Sequence, residues 1–181
     1  MRLTLSALGA VALVAAPLAG AARSPLALVK ALATAGVTAS QLPHGYRSPD
    51  VERYPITAGD KKHHAVGGVS ISTNGGAGVV IYIVFSTPSA AQADFAHGNF
   101  GSATPKQAPN TVPKPNVEID TSTSGTVGGR KVTFGITDIA FVHQNVLVQA
   151  ATSSGTSTKH GDVAGAVGLA GFALAHLKSV S

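Results

Sequence analysis

The sequence contains no cysteine, and this absence excludes several kinds of site at once. Without thiols the chain has no disulfides, thiolate metal sites, iron–sulfur clusters or cysteine nucleophiles. Tryptophan is also absent, and aromatic residues make up only 5% of the chain. Because glycine and alanine are plentiful instead, we expect the structural elements to pack closely through small side chains.

Charged residues are scarce as well, at 12% of the chain, so the formal net charge of +5 is a modest basic balance. Nucleic-acid binding would need lysine and arginine clustered on one face, with aromatic stacking platforms for single strands. The sequence has neither pattern, and we therefore predict no nucleic-acid partner.

The common catalytic and nucleotide-binding motifs are missing too. The sequence contains no Gly-x-Ser-x-Gly, Ser-x-x-Lys, His-Glu-x-x-His, P-loop or Gly-x-Gly-x-x-Gly pattern. We therefore predict no catalytic residue, no metal site and no cofactor.

The first 21 residues have the organisation of a secretory signal peptide. Arg2 supplies a short positive region, residues 3–16 form an apolar run, and Ala19-Gly20-Ala21 presents the small residues that signal peptidase recognises. The apolar run is shorter than the roughly 20 residues that span a bilayer, which disfavours a retained membrane anchor. We predict cleavage after Ala21, or after Ala22, with export from the cytoplasm and no stable membrane insertion afterwards.

One apolar run, Gly78 to Phe85, organises the rest of the sequence. It is short, largely β-branched and without a polar side, which predicts a central strand covered on both faces. Asn74-Gly75-Gly76 precedes it, which predicts a β-hairpin over residues 66–73 and 78–86. Thr87-Pro88 follows it and predicts the start of a helix.

Capping residues, proline and glycine predict three helices. They begin at Ser24-Pro25, Pro88 and Asp162, and the second ends at His97. In the last helix three glycines at positions 165, 168 and 171 predict a close approach of the helix to the sheet. Residues 98–115 hold four prolines and little apolar content, which predicts a long mobile surface loop or, as the alternative, a lid.

The second half of the chain predicts further strands. Residues 117–120 alternate like an edge strand, Thr121 to Gly129 has the composition of a turn region, and residues 130–136 alternate again. The apolar parity then shifts by one residue, which predicts a bulge or tight turn at Thr137-Asp138. The whole pattern predicts an α+β fold in one domain over residues 22–181. A largely antiparallel sheet of about five to six strands is packed by an N-terminal, a middle and a C-terminal helix.

The densest polar cluster is Asp60-Lys61-Lys62-His63-His64. Adjacent histidines could hold a metal loosely, but neighbouring side chains on a strand point to opposite faces, which favours a solvated loop. A second group consists of Tyr46, Arg47 and Tyr54. These residues could form the amphipathic rim of a groove or pack a loop on the sheet. From the two groups together, the predicted ligand-binding residues are Tyr46, Arg47, Tyr54, Lys61, Lys62, His63 and His64.

Two acidic features stand out. Glu118 and Asp120 lie two residues apart and share a face of their strand, and such a pair can perform acid–base chemistry if its two pKa values are separated. A solvated edge strand protected by charge is the simpler interpretation. Asp138 lies in an apolar stretch, where hydrogen bonding to the backbone of a turn would explain it.

Three stretches carry a resemblance: Leu42-Pro43-His44-Gly45-Tyr46, the run of residues 79–85 leading into Thr87-Pro88, and Asn145-Val146-Leu147-Val148 ahead of the last helix. In its order of elements the chain, over about residues 24–181, resembles the exported sensor and lipoprotein-type α/β sandwich domains of bacterial cell envelopes. The lipid-attachment cysteine and disulfide pairs often seen in such domains are missing here. The resemblance therefore implies a fold and a location, and no functional residue.

We expect an exported, non-enzymatic, sensor-like domain of the bacterial cell envelope or the extracellular space that binds a small molecule or an envelope component. One alternative is an extracytoplasmic hydrolase with dispersed residues, for which Glu118, Asp120 and a histidine are the candidates. Another is a structural or adhesion module that exposes a sheet edge. The sequence predicts neither the ligand nor the oligomeric state.

Overall fold

A six-stranded antiparallel sheet and four helices make up the computed structural model, which describes residues 23–73, 78–98, 103–154 and 161–181. The predicted signal peptide and the hairpin turn Asn74-Gly75-Gly76 lie outside the described residues. In chain order the elements are α1 (Pro25–Thr34), β1 (Pro49–Tyr54), α2 (Ala58–Lys62), β2 (Ala65–Thr73), β3 (Gly78–Phe85), α3 (Pro88–His97), β4 (Asn116–Val127), β5 (Arg130–His143), β6 (Val146–Ser154) and α4 (Val163–Val180). The predicted α+β fold is confirmed.

Strand β3 lies in the interior of the sheet, as its composition predicts. The strand order is β1-β2-β3-β6-β5-β4, and β3 pairs with β2 on one side and with β6 on the other. Tyr82, Val84 and Phe85 are completely buried. A strand without a polar side is stable in this position because neither of its faces meets water over most of its length.

The two faces of the sheet are covered by different helices. Helices α1 and α4 pack on one face, here called the long-helix face, which holds Val80, Tyr82 and Val84 of β3. Helices α2 and α3 pack on the opposite, short-helix face, which holds Ile83 and Phe85. The hydroxyl of Tyr82 donates a hydrogen bond of 3.3 Å to the carbonyl of Ala173 and so joins the central strand to α4.

The predicted helix starts are confirmed with their caps. The side chains of Ser24, Thr87 and Asp162 accept hydrogen bonds from backbone amides in the first turns of α1, α3 and α4. Each cap satisfies an amide that has no partner within its own helix. Helix α3 ends at His97, as predicted, whereas the short helix α2 was not predicted from the sequence.

The predicted bulge at Thr137-Asp138 is wrong, and so is the turn region at Thr121 to Gly129. Strands β4 and β5 pair without a break from Asn116 opposite Phe141 to Val127 opposite Arg130. The turn is confined to Gly128 and Gly129, whose φ angles of 57° and 78° are in the left-handed region. The strand itself stays regular where the apolar residues change sides: Val132, Phe134 and Ile136 are half-buried on one face, and Ile139 and Phe141 are buried on the other.

The glycines of α4 approach a loop rather than the sheet. A methyl group at Gly165 would collide with the Tyr46 hydroxyl and the Asp162 carboxylate, and one at Gly168 would lie 3.2 Å from Pro43. Around Gly171 there is open space. The small residues therefore admit the segment that precedes β1, which corrects the prediction that they bring helix and sheet together.

Helix α4 is also long and apolar enough to cross a membrane, by length and composition alone. Its 18 residues have a mean hydropathy of 1.5, but 44% of them are buried inside the protein. A core helix passes the same test, and Leu169, Phe172 and Leu177 of α4 are part of the core on the long-helix face. We therefore describe α4 as a core helix.

The described part of the proline-rich segment, residues 103–115, packs against the rest of the protein. Ala108 and Val112 are buried in the core of the long-helix face. Backbone hydrogen bonds of 2.8 Å in both directions join Lys106 to Glu118 of β4. These contacts fix the segment along the β4 edge, and the predicted mobility of residues 98–115 stays a prediction.

Candidate functional site

One concave surface of the described chain is a groove of about 1120 Å³, here called the apolar groove. It runs between α1, the edge strand β1 and the beginning of β2. Two of its wall residues, Leu26 and Val66, are 69% and 37% exposed, and they are the exposed large hydrophobic residues of the described chain. The other apolar side chains along it are Ala27, Val29, Ala33, Val51, Tyr54, Pro55 and Ile56.

Charged side chains border the same groove. Lys30 from α1 and Arg53 from β1 supply positive charge, and Glu52 supplies one negative charge. All three are exposed and therefore accessible to a ligand in the groove. The groove thus combines an apolar wall with a net positive rim, an arrangement that suits an amphiphilic ligand with an anionic end.

A second concavity of about 300 Å³, here called the histidine cavity, lies on the short-helix face. Its floor is apolar and includes Ile83, Ala140 and Leu147, with the amide of Gln149 beside them. Its rim comes from α2 and α3 and carries the polar groups Asp60, His63, Asp94 and His97. Polar groups therefore converge over an apolar floor, as in small-ligand sites.

Within this cavity, His63 and Asp94 form a close pair. Nδ1 of His63 lies 2.7 Å from Oδ1 of Asp94, and the two side chains are only 28% and 12% exposed. The ring of His97 is near that of His63, with centroids 5.2 Å apart and planes inclined by 41°. Nδ1 of His97 in turn lies 2.7 Å from the carbonyl oxygen of Ala93.

The polar cluster predicted as a solvated loop is mostly helix α2, and its members have different roles. The carboxylate of Asp60 is buried, accepts a 2.5 Å hydrogen bond from the amide of Thr57, and belongs to a capping box. Lys61 and Lys62 are exposed at the end of the helix. Only His63 of the predicted ligand-binding residues in this cluster lines the cavity.

The remaining predicted ligand-binding residues lie apart from the cavity. His64 is exposed and adopts a left-handed φ of 62° that ends α2. Tyr54 borders the apolar groove, and Arg47 is exposed outside both concavities. Tyr46 lies in the slot between β3 and α4, where burial and the nearby charge of Asp162 raise the pKa of its hydroxyl.

Glu118 and Asp120 share a face of β4, as predicted, but line neither concavity. Nζ of Lys106 lies 2.6 Å from Oδ2 of Asp120 and 3.9 Å from Oε1 of Glu118. The hydroxyl of Thr137 donates a further 2.8 Å hydrogen bond to Asp120. The hydrogen bond to Asp120 raises the pKa of Lys106. In this arrangement the two carboxylates bind a lysine across the sheet edge.

Two buried polar atoms lack a hydrogen-bond partner among the described residues: Oδ1 of Asp138 and Nε2 of His176. Burial raises the pKa of Asp138 to about 6 and lowers the pKa of His176. Asp138 lies on β5 opposite Ile119 and Ala151, and no turn is present to receive it. The prediction that backbone hydrogen bonds of a turn explain this residue is wrong.

Asp94 and His97 were not predicted as site residues. Their spacing of three places them on one side of a helix. Nothing in the sequence indicated that His63, 31 positions before Asp94, would lie against that side. The apolar groove was missed because it forms where α1 lies beside β1 and the start of β2, an arrangement that only the fold creates.

No protein-family model matches the chain, and no curated protein matches it significantly. The arguments about function therefore depend on the geometry described above.

The buried carboxylate of Asp138 predicts a pH-dependent stability. Because its pKa rises from 3.8 to about 6 on folding, this group favours the folded state below about pH 4 and disfavours it progressively up to pH 6. The rise corresponds to at most about 3 kcal/mol. We expect the difference in free energy of unfolding between Asp138→Asn and wild type to grow in favour of the variant by about 1–3 kcal/mol from pH 4 to pH 7.5.

Urea unfolding of both proteins at the two pH values measures this change. Asp50→Asn, at an exposed position, removes the same formal charge and serves as the control. A difference between Asp138→Asn and wild type that is equal at pH 4 and pH 7.5 would contradict the prediction.

Proposed function

We propose that this protein is an exported, non-enzymatic binding domain whose ligand lies in the apolar groove. The observation that carries the proposal is the exposure of Leu26 and Val66 along a groove of about 1120 Å³. Large apolar side chains are costly to leave in water, at roughly 25 cal/mol per Å². A ligand that covers them gains this free energy on binding.

The ligand we propose is an amphiphile with an alkyl chain and an anionic head group. Leu26 and Val66 offer an apolar surface for the chain, while Lys30 and Arg53 can bind a carboxylate or phosphate. Arg53 suits this role because its guanidinium donates two parallel hydrogen bonds to such groups. Glu52 at the same rim disfavours a second negative charge on the head group.

The export part of the proposal depends on the pattern of the first 21 residues, which lie outside the described chain. An envelope or extracellular location would place the domain where amphiphiles leave membranes. Glu118 and Asp120 are not part of the proposed function, because both bind Lys106 outside the groove.

The groove predicts an affinity that depends on alkyl chain length. We expect titration calorimetry with octanoate, decanoate and dodecanoate, below their micellar concentrations, to give a binding free energy that improves by up to about 0.8 kcal/mol per methylene. Leu26→Ser and Arg53→Gln should each weaken decanoate binding at least about threefold, because they remove an apolar contact and a charge-assisted hydrogen bond. Leu26 is largely exposed, so its replacement should leave folding intact.

Lys131→Gln is the matched control, because Lys131 is exposed on β5 and does not border the groove. An alkyltrimethylammonium ion of equal chain length tests the sign of the rim charge and should bind more weakly than the carboxylate. Affinity independent of chain length, or equal in wild type and both groove variants, would refute the proposed function.

Export is tested by the mass of the protein recovered outside the cytoplasm of an expressing bacterium. We expect a chain that begins at Ala22 or Arg23, because signal peptidase cleaves after small residues. A chain that keeps Met1 and stays with the cells would rule out the export part.

A further inference from the structure

We propose that the histidine cavity binds one divalent transition-metal ion through the Nε2 atoms of His63 and His97. This inference is independent of the apolar groove, which lies at α1 and the β1 edge. It depends on how the two imidazoles are held, on their separation and on the surface beneath them.

His63 is held in the orientation typical of a metal ligand. Its Nδ1 lies 2.7 Å from the Asp94 carboxylate, which accepts a hydrogen bond from Nδ1–H. In this tautomer Nε2 keeps a free lone pair. Metal-binding histidines almost always donate their other ring N–H to a carboxylate, a backbone carbonyl or a water. Asp94 is only 12% exposed, so this contact is shielded from water.

His97 is held by a hydrogen bond to a backbone carbonyl. Its Nδ1 donates to the carbonyl of Ala93 at 2.7 Å, within the same helix, and this bond again leaves Nε2 as the acceptor atom. Asp94 and His97 are three residues apart on α3, so both side chains reach the α2 side of the cavity. The two tautomers are therefore matched for ligation.

The separation of the rings fits a shared ion. Metal–nitrogen distances of about 2.0–2.1 Å and a near-tetrahedral angle place the centroids of two ligating imidazoles about 5 Å apart. The centroids of His63 and His97 are 5.2 Å apart.

The ion would have two protein ligands and open positions. No group of three or more histidine, aspartate or glutamate side chains in the described part of the chain is arranged to hold a metal ion. Water or a second ligand would complete the coordination in the 300 Å³ of the cavity, above Ile83 and Leu147. This proposal departs from the sequence analysis, which predicted no metal site because His63 and His64 cannot converge.

Imidazole pairs select late first-row metals. Nitrogen ligands favour Cu²⁺ and Zn²⁺, with Cu²⁺ bound more tightly, whereas Mg²⁺ prefers oxygen. We therefore expect the purified protein, without a polyhistidine tag, to bind one equivalent of ZnCl₂ or CuSO₄ and no MgCl₂ in titration calorimetry. The electron paramagnetic resonance spectrum of the Cu²⁺ complex should show hyperfine coupling to two imidazole nitrogens.

Three variants test the assignment. His97→Ala should lower the Zn²⁺ affinity at least about tenfold, and folding should persist because this side chain is exposed at a helix end. His63→Ala should have the same effect. Asp94→Asn should lower the affinity by about 10–100-fold while keeping both nitrogens in the Cu²⁺ spectrum, because Asp94 positions His63 without binding the ion.

His64→Ala is the matched control, since His64 is adjacent to His63, exposed, and not part of the cavity. We expect it to bind Zn²⁺ as wild type does. The proposal is overturned if wild-type protein binds no Zn²⁺ or Cu²⁺ at millimolar concentration, if His97→Ala binds as tightly as wild type, or if His64→Ala loses as much affinity as His97→Ala.

Discussion

The structure depends on one constraint: strand β3 has no polar side and must be covered on both faces. Its partners β2 and β6 satisfy its backbone, and α1 with α4 on one side and α3 on the other exclude water from its side chains. Six of its eight residues are buried, so removing either cover would expose a row of large apolar groups.

The helices cover the two faces of the sheet to different extents, and each concavity lies where the helices on its face end. On the long-helix face, α1 leaves the β1 edge partly open, and the apolar groove lies there. On the short-helix face, α2 and α3 are five and ten residues long and cannot close over the sheet, which leaves the histidine cavity between them. Both proposed ligands would therefore occupy surface of the sheet that the helices leave open.

The sequence predicted the features that depend on local signals and missed those that depend on contacts between distant residues. Ser24, Thr87 and Asp162 identified three helix starts, and the run ending at Phe85 identified the central strand, because these signals are local. The continuous β4–β5 pair was missed because threonine and serine were interpreted as turn residues, whereas cross-strand pairing determines their structure. The Asp94–His63 pair was missed because it joins elements that only the fold brings together.

The central claim, that β3 is the most protected element, is tested most directly by native-state hydrogen exchange of its backbone amides. The account predicts that the amides of Tyr82 and Val84 exchange only through global unfolding, with the free energy obtained from denaturant titration. Amides of residues 123–127, where β4 pairs with β5 beyond the end of β6, should exchange at a lower free energy. Exchange of the β3 amides at or below the free energy of residues 123–127 would contradict the account.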